Sequence, residues 1–551
     1  MMRNIGFTWL RLIVACHFLL LAAVPRAAAS GKPAVIAKWG RFEQSFKSTV
    51  PYSNPVQDVS LRVTFKSPMG ETNEVDGFWD GGRTWRVRFS PDQPGRWKFR
   101  TVCSDKTNDG LHNEFGEFIC TAATGLTRFA KHGRVRVALD RRHLEHADGR
   151  PFFWLADTVW NGARMSGLKD WEYYAGVRAS QRFTVAQWAA APGEDLKNES
   201  AYGGFPDRIA INPNFFKRLD AKLDVLGQAG ILSAIAPFRE LPSQTNAIAA
   251  LPDDQAELLT RYIVARWGAN PVVWLIAFEG DSGARNVGRW KRIGQAVFGV
   301  RAHAPVVLFP GETQWLLDEF RDQKWVDVFG YQSVTDITDD ALKWTFTGPL
   351  AAEWKKEPSR PLIPVLPYEY GVIAQTGKRF SSDDVRHAAY WSLLLAPPAG
   401  VSYGGQGVAN WNVNVGPKDE QTKAADLPTW HKALFMPAAK QMSSLASFMT
   451  SIDFWRVRPE PKAVAAQPGE QSPRRFIAAA GTEAKDFSIV YAPEDRTLDL
   501  FLDALPHSPT ASWFNPRTGE NNPAVAVLAG RSCQFPTPDP GDWLLVLKVG
   551  K

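Results

Sequence analysis

Cysteine is scarce in this chain, with four in 551 residues, at positions 16, 103, 120 and 533. No Cys-x-x-Cys or His-Glu-x-x-His spacing occurs, so neither a structural nor a hydrolytic zinc site has support. The glycine-rich G-x-G-x-x-G loop that cradles a dinucleotide is missing. No apolar run reaches the roughly 20 residues that a membrane-spanning helix needs. Charge of one sign is also lacking: 64 Lys and Arg stand against 57 Asp and Glu, a net +7. Spread over such a length, that excess is too thin to indicate nucleic acid or an anionic membrane as partner. With 44% hydrophobic and 22% charged residues, the composition excludes disorder, collagen and coiled coil.

What the chain has in excess is tryptophan, 22 residues in all. Indole is costly to bury unless its N–H finds a partner, so such a chain has large cores, aromatic platforms for a ligand, or both. The first 29 residues read as an export signal. Arg3 and Arg11 precede an apolar stretch from Leu12 to Val24, and Ala27-Ala28-Ala29 offers a small-residue cleavage site before Ser30. An exported, periplasmic or extracellular protein is expected. Cys103 and Cys120 each end an alternating, strand-like run, and in an oxidising compartment they either form a disulfide or stay as two buried thiols.

Three patterns follow one another after the signal. Residues 30–128 alternate in period two, with turn signals such as Asp80-Gly81-Gly82 and Pro94-Gly95 between short runs, which predicts an antiparallel β-sandwich. Over residues 129–453, apolar runs alternate with helical segments. Eight runs can be placed: Phe152–Ala156, Phe183–Gln187, Ile231–Pro237, Val272–Phe278, Val306–Pro310, Val326–Tyr331, Leu362–Tyr368 and Gly400–Tyr403. Helix starts are signalled at Asn212-Pro213, at Asp253 or Asp254, and at Ser381 with Asp384. Eight β–α units without a phosphate loop predict an α/β fold of the (β/α)8 TIM-barrel type. Residues 454–551 return to alternation and predict a second, C-terminal β-sandwich.

In a parallel barrel the carboxyl ends of the strands share one mouth, so polar residues there are the candidates. They are Asp157, Glu240, Glu279, Glu312, Gln332 and Glu369, after strands one, three, four, five, six and seven. Glu279 and Glu369 each follow a run apolar enough to be buried on both sides. Burial raises a carboxyl pKa towards the range of a general acid, and two facing carboxylates are the apparatus of a glycosidase. On this reading Glu279 is the acid and Glu369 the nucleophile, with Asp281 a rival to Glu279. Asp157 and Glu240 are substrate contacts, as are Gln332 and the aromatic residues Trp160, Tyr331, Tyr403 and Trp411, whose rings suit a sugar face. His143 and His146 flank a hairpin turn and lack a third ligand, so no metal is expected there.

These residues resemble the apiosidase-like glycoside hydrolases over nearly the whole chain after the signal. Phe153-Trp154-Leu155-Ala156-Asp157-Thr158-Val159-Trp160 is similar to that family's F-W-L-G-D-T-x-W. Trp274-Leu275-Ile276-Ala277-Phe278-Glu279 resembles its W-I-L-G-G-D, and Pro364-Val365-Leu366-Pro367-Tyr368-Glu369 its P-V-L-D-G-E. Gln332-Ser333 and Asp384-Val385-Arg386-His387-Ala388-Ala389-Tyr390-Trp391 match two further segments. Gly77-Phe78-Trp79-Asp80-Gly81-Gly82 resembles the immunoglobulin-like module that often precedes such barrels. Trp513-Phe514-Asn515-Pro516-Arg517-Thr518-Gly519 is similar to the collagen-binding-like module that often follows them. The resemblance implies a retaining carboxylate pair at the ends of strands four and seven, acting on a polysaccharide or oligosaccharide without metal or organic cofactor. Departures from the family pattern, including Glu for Asp at 279 and Pro237-Phe238-Arg239-Glu240 after strand three, fall where substrate would be gripped. They leave the sugar open. The competing reading is a carbohydrate- or matrix-binding protein on a barrel that has lost its catalysis.

Overall fold

The computed structural model describes residues 32–240, 251–278, 282–310, 315–373, 376–396, 399–414 and 427–550. The segment read above as an export signal lies outside the described residues. Among those described, no helix is long and apolar enough to cross a membrane.

The centre is a closed barrel of eight parallel strands. They are β1 (Trp154–Thr158), β2 (Val185–Ala191), β3 (Leu232–Glu240), β4 (Val272–Phe278), β5 (Val306–Pro310), β6 (Val328–Gln332), β7 (Leu362–Val365) and β8 (Gly400–Tyr403), and β8 pairs back onto β1. Each strand overlaps one of the eight apolar runs, so the TIM-barrel expectation holds. Alternation divides every strand between two cores. Trp154, Ala156, Val185, Leu232, Val273, Val307, Val328 and Ile363 fill the barrel interior. Leu155, Ile235, Trp274, Leu308, Phe329 and Val401 face the surrounding helices.

Those helices include α1 (Leu168–Ser180), α2 (Pro213–Gln228), α3 (Asp253–Trp267), α4 (Ser282–Phe298), α5 (Asp339–Thr347), α6 (Ser382–Leu395) and α7 (Pro437–Ser451). Asn212 caps α2 by accepting from the Asn214 and Phe215 N–H groups, and Ser381 with Asp384 forms a reciprocal capping box on α6.

The amino-terminal region is a five-stranded sheet facing a three-stranded one. Its core is aromatic, with Phe65 stacked on Phe89 at 4.2 Å and Phe42 on Phe118 at 4.2 Å. Cys103 and Cys120 are both buried free thiols. Strand pairing sets Cys120 opposite Gly95, at the far end of the strand Gly95–Cys103 from Cys103, which is why no disulfide joins them. The carboxyl-terminal region is a six-stranded sheet with a three-stranded partner, enclosing Trp513, Trp543 and the free, buried Cys533.

Buried ion pairs fix both sandwiches to the barrel. Asp220 on α2 takes Arg88 of the first sandwich at 2.8 Å and Arg266 of α3 at 2.7 Å, and Arg266 also reaches Asp80 at 2.9 Å. Burial alone would raise the Asp220 pKa, but the two guanidiniums override it and hold it down at about 2. At the other end, Arg386 of α6 pairs with Asp542 at 2.6 Å, and the Tyr491 hydroxyl donates to the same carboxylate at 2.7 Å.

Candidate active site at the barrel mouth

Trp160 follows β1 on the inward face and sits at the mouth. Its indole N–H donates to the Tyr368 hydroxyl at 2.8 Å, and the Arg239 guanidinium lies over its ring at 4.3 Å. Phe309 of β5 meets it edge-on at 6.0 Å. Gln332 ends β6 on the same face as Val328 and is half-buried. Below them Thr158 donates to Gln187 at 3.2 Å, inside the barrel.

Between β1 and β2 the mouth opens into a cavity of about 380 Å³, lined by Asn161, Arg164, Glu194, Arg239 and Asn410 among others. Arg164 is only 8% exposed. It donates to the Glu194 carbonyl at 3.0 Å and to Asn161 Oδ1 at 2.7 Å, while its buried Nε has no acceptor among the described residues. Burial pulls its pKa down to about 10, with Asp195 offsetting this only in part. Arg164 did not stand out in the sequence, whereas Arg239 was marked there only as part of the Pro237-Phe238-Arg239-Glu240 departure after strand three. In the structure it ends a strand whose register shifts between Ile235 and Arg239.

Four residues expected at the mouth lie elsewhere. Asp157 is fully buried on the outer side of β1, paired with Arg178 of α1 at 2.7 Å and accepting from the Tyr174 hydroxyl at 2.9 Å. Tyr331 points outward from β6 and lies 5.9 Å, ring to ring, from Trp315. Tyr403 points outward from β8 and is wholly buried. Trp411 is stacked on Trp430 at 4.1 Å and packs beside Tyr174, so its ring serves as core and not as a sugar platform.

Glu369 is the largest departure. Its carboxylate is turned outward and is 5% exposed, with both oxygens occupied: Oε2 accepts from the Tyr403 hydroxyl at 2.7 Å and Oε1 from the Ala438 N–H at 3.0 Å. Ala438 lies in the first turn of α7, where N–H groups have no partner within the helix. The cause is a bulge. Leu366 N–H donates to the Ser402 carbonyl, and the next chain-pairing donor is Glu369, to Gly404, so three residues on one side match two on the other. Pro367 lies within this step and has no N–H to give. The extra residue reverses the alternation, so Tyr368 reaches inward. Its ring covers Gly404, where a Cβ would come within 2.3 Å of it. Burial raises the Glu369 carboxyl pKa, against the two donors that lower it.

The side chain of Glu240 and the residues Glu279, Asp281 and Glu312 lie outside what the structure describes. β3 ends at Glu240, and Glu279 is the next residue after β4. Among the described residues, no group of three or more His, Cys, Asp or Glu side chains could hold a metal ion. The His146 Nδ1–H donates to the Gly133 carbonyl and His143 contacts Asp140, both at the small sheet of Val135–Val137, Leu144–His146 and Pro151–Phe152 that precedes β1.

The apiosidase-like catalytic domain matches residues 138–456, more than half of the chain and the whole of the barrel. A domain of unknown function, DUF5060, matches residues 35–104, and a candidate collagen-binding domain of a collagenase matches residues 459–548. No curated protein matches the chain. Among solved structures, a glycoside hydrolase of family 5 from Bacteroides vulgatus ATCC 8482 is similar at 19% identity and a TM-score of 0.66, over 77% of this chain and 95% of that one. A candidate glycoside hydrolase from the same organism is similar at 17% identity and a TM-score of 0.70, over 94% of this chain and 100% of that one. Those likenesses speak for the fold, whereas the match over the barrel establishes kinship: the chain belongs to the apiosidase-like family.

Proposed function

We propose that this chain is an exported glycoside hydrolase that cleaves a sugar from a polysaccharide or oligosaccharide at the barrel mouth. The observation that carries this reading is the coincidence of the family's span with the closed barrel, whose mouth opens into a polar cavity lined by two arginines. Glu279 is assigned the role of general acid because it directly follows β4, an apolar strand buried on both sides. Glu369 is not assigned the nucleophile, since both its oxygens are held on the outer side of the barrel. The second carboxylate is drawn from Glu240, Asp281 and Glu312, which end or follow β3, β4 and β5. Whether it attacks carbon or activates water depends on its distance from Glu279, about 5–5.5 Å for retention and about 6.5–9.5 Å for inversion.

The test is incubation with pectic and hemicellulosic fragments, with the anomer of each product followed by NMR. Release of a sugar of one initial anomeric form supports the reading, and abolition by Glu279→Gln supports the assignment. The second reading, a carbohydrate-binding barrel without turnover, is favoured by the outward Glu369, which leaves strand seven without an acid at the mouth. Affinity for a fragment with no product from any of them would decide for it.

A further inference from the structure

We infer that the hairpin after β2 forms a second sugar-binding subsite, continuous with the mouth, so that the protein takes oligosaccharide or polysaccharide chains and not only a terminal sugar. This rests on the carbohydrate-directed reading of the mouth, though not on hydrolysis there.

The hairpin pairs Tyr202–Phe205 with Arg208–Ile211 and folds over the chain that leaves β2. Beneath it lies a cavity of about 300 Å³ that includes Tyr202, Gly203 and Phe205 in its lining. Ala191, Pro192 and Gly193 line this cavity and the mouth cavity alike, so the two are compartments of one groove. Their chemistry differs. The mouth side has the guanidinium groups of Arg164 and Arg239 and the amides of Asn161 and Asn410, which suit sugar hydroxyls. The hairpin side is mainly apolar and offers Phe205, which is 77% exposed at the hairpin tip.

A single exposed aromatic residue is common and proves little alone. Here it borders a groove whose glycine the backbone does not require. A Cβ on Gly203 would meet nothing within 4 Å, and its φ lies outside the left-handed range, unlike that of Gly204 at +85°. The bare backbone at 203 leaves room beside the Phe205 ring. A ring with an open face and a clear approach suits the C–H face of a pyranose or furanose. The geometry therefore favours one sugar unit hydrogen-bonded at the mouth and the next stacked on the hairpin.

The test uses the full chain in native gels cast with homogalacturonan, rhamnogalacturonan, arabinan, xylan or galactomannan. At least one polymer should slow the wild type. Phe205→Ala should weaken that retardation at least five-fold in apparent Kd, and so should Gly203→Gln, which fills the groove without burdening the fold. Wild-type retardation of Phe205→Ala overturns the stacking subsite, even if Gly203→Gln loses binding. A wild type that none of the five polymers slows overturns it too. Because the readout is binding, loss in both variants without release of sugar by the wild type would sink hydrolysis and leave the subsite standing.

Discussion

The two halves of the barrel rim use their polar groups differently. Around β7, β8 and β1 the strand-end acids are consumed by the architecture. Asp157 neutralises Arg178, and Glu369 joins Tyr403 to the first turn of α7. Arg178 also donates to the Leu434 carbonyl, in the segment leading to α7, so one buried network ties α1, β1, β8 and α7 together. Around β2 and β3 the rim is open, and Arg164, Asn161 and Arg239 line a cavity. A carboxylate with both oxygens satisfied inside the outer layer is a poor nucleophile, because attack would require giving up those bonds. An acid at a strand end is thus ambiguous until its face is known.

The contrast breaks most visibly if chemistry is tested on each half. Glu279→Gln should lower turnover at least a thousand-fold, about 4 kcal/mol of barrier, measured on the fragment that the wild type cleaves. A comparable loss of turnover from Glu369→Gln, with Glu279→Gln active, would return the catalytic role to the closed half. Next in size is Asp157→Ala. It strands Arg178 as an uncompensated buried charge, and removing one partner of such a pair costs about 3–5 kcal/mol. The urea midpoint should fall accordingly. An unchanged midpoint would mean that Arg178 is neutralised in another way.

The barrel was legible because parallel strands buried on both sides leave unmistakable apolar runs, and all eight are in place. The faces were only partly legible. Asp157 and Trp160 stand three residues apart on one extended segment, and Tyr331 and Gln332 stand next to each other on another, so alternation alone forbids either pair from sharing the mouth. Trp160 and Gln332 are the members that face inward. Glu369 was harder. Strict alternation from Ile363 and Val365 brings 369 inward, and only the one-residue bulge around Pro367 reverses it. Bulges depend on pairing across strands, here with Ser402 and Gly404, which a linear reading does not see. Arg164 escaped notice for a related reason: it lies on a short helix after β1, and only the folded chain brings it against Glu194.

The smallest expected effect separates a structural Glu369 from a catalytic one. Glu369→Ala leaves the Ala438 N–H and the Tyr403 hydroxyl without acceptors in a buried place, at a cost of about 1–3 kcal/mol. Glu369→Gln keeps a carbonyl for the N–H and an amide beside the hydroxyl, so it should cost less than Ala. With Glu279 as the acid, Glu369→Gln should retain most of its turnover. The pH dependence sharpens this. Burial raises the Glu369 pKa above the usual 4.5, so its contribution to stability is fullest below that value and declines as pH rises through the raised one. Glutamine does not titrate. The difference in urea midpoint between wild type and Glu369→Gln should therefore narrow from pH 4 to pH 7. A gap that widens instead would mean a carboxylate held more favourably in its charged form than in water, as a nucleophile would be, and would reopen strand seven as a source of chemistry.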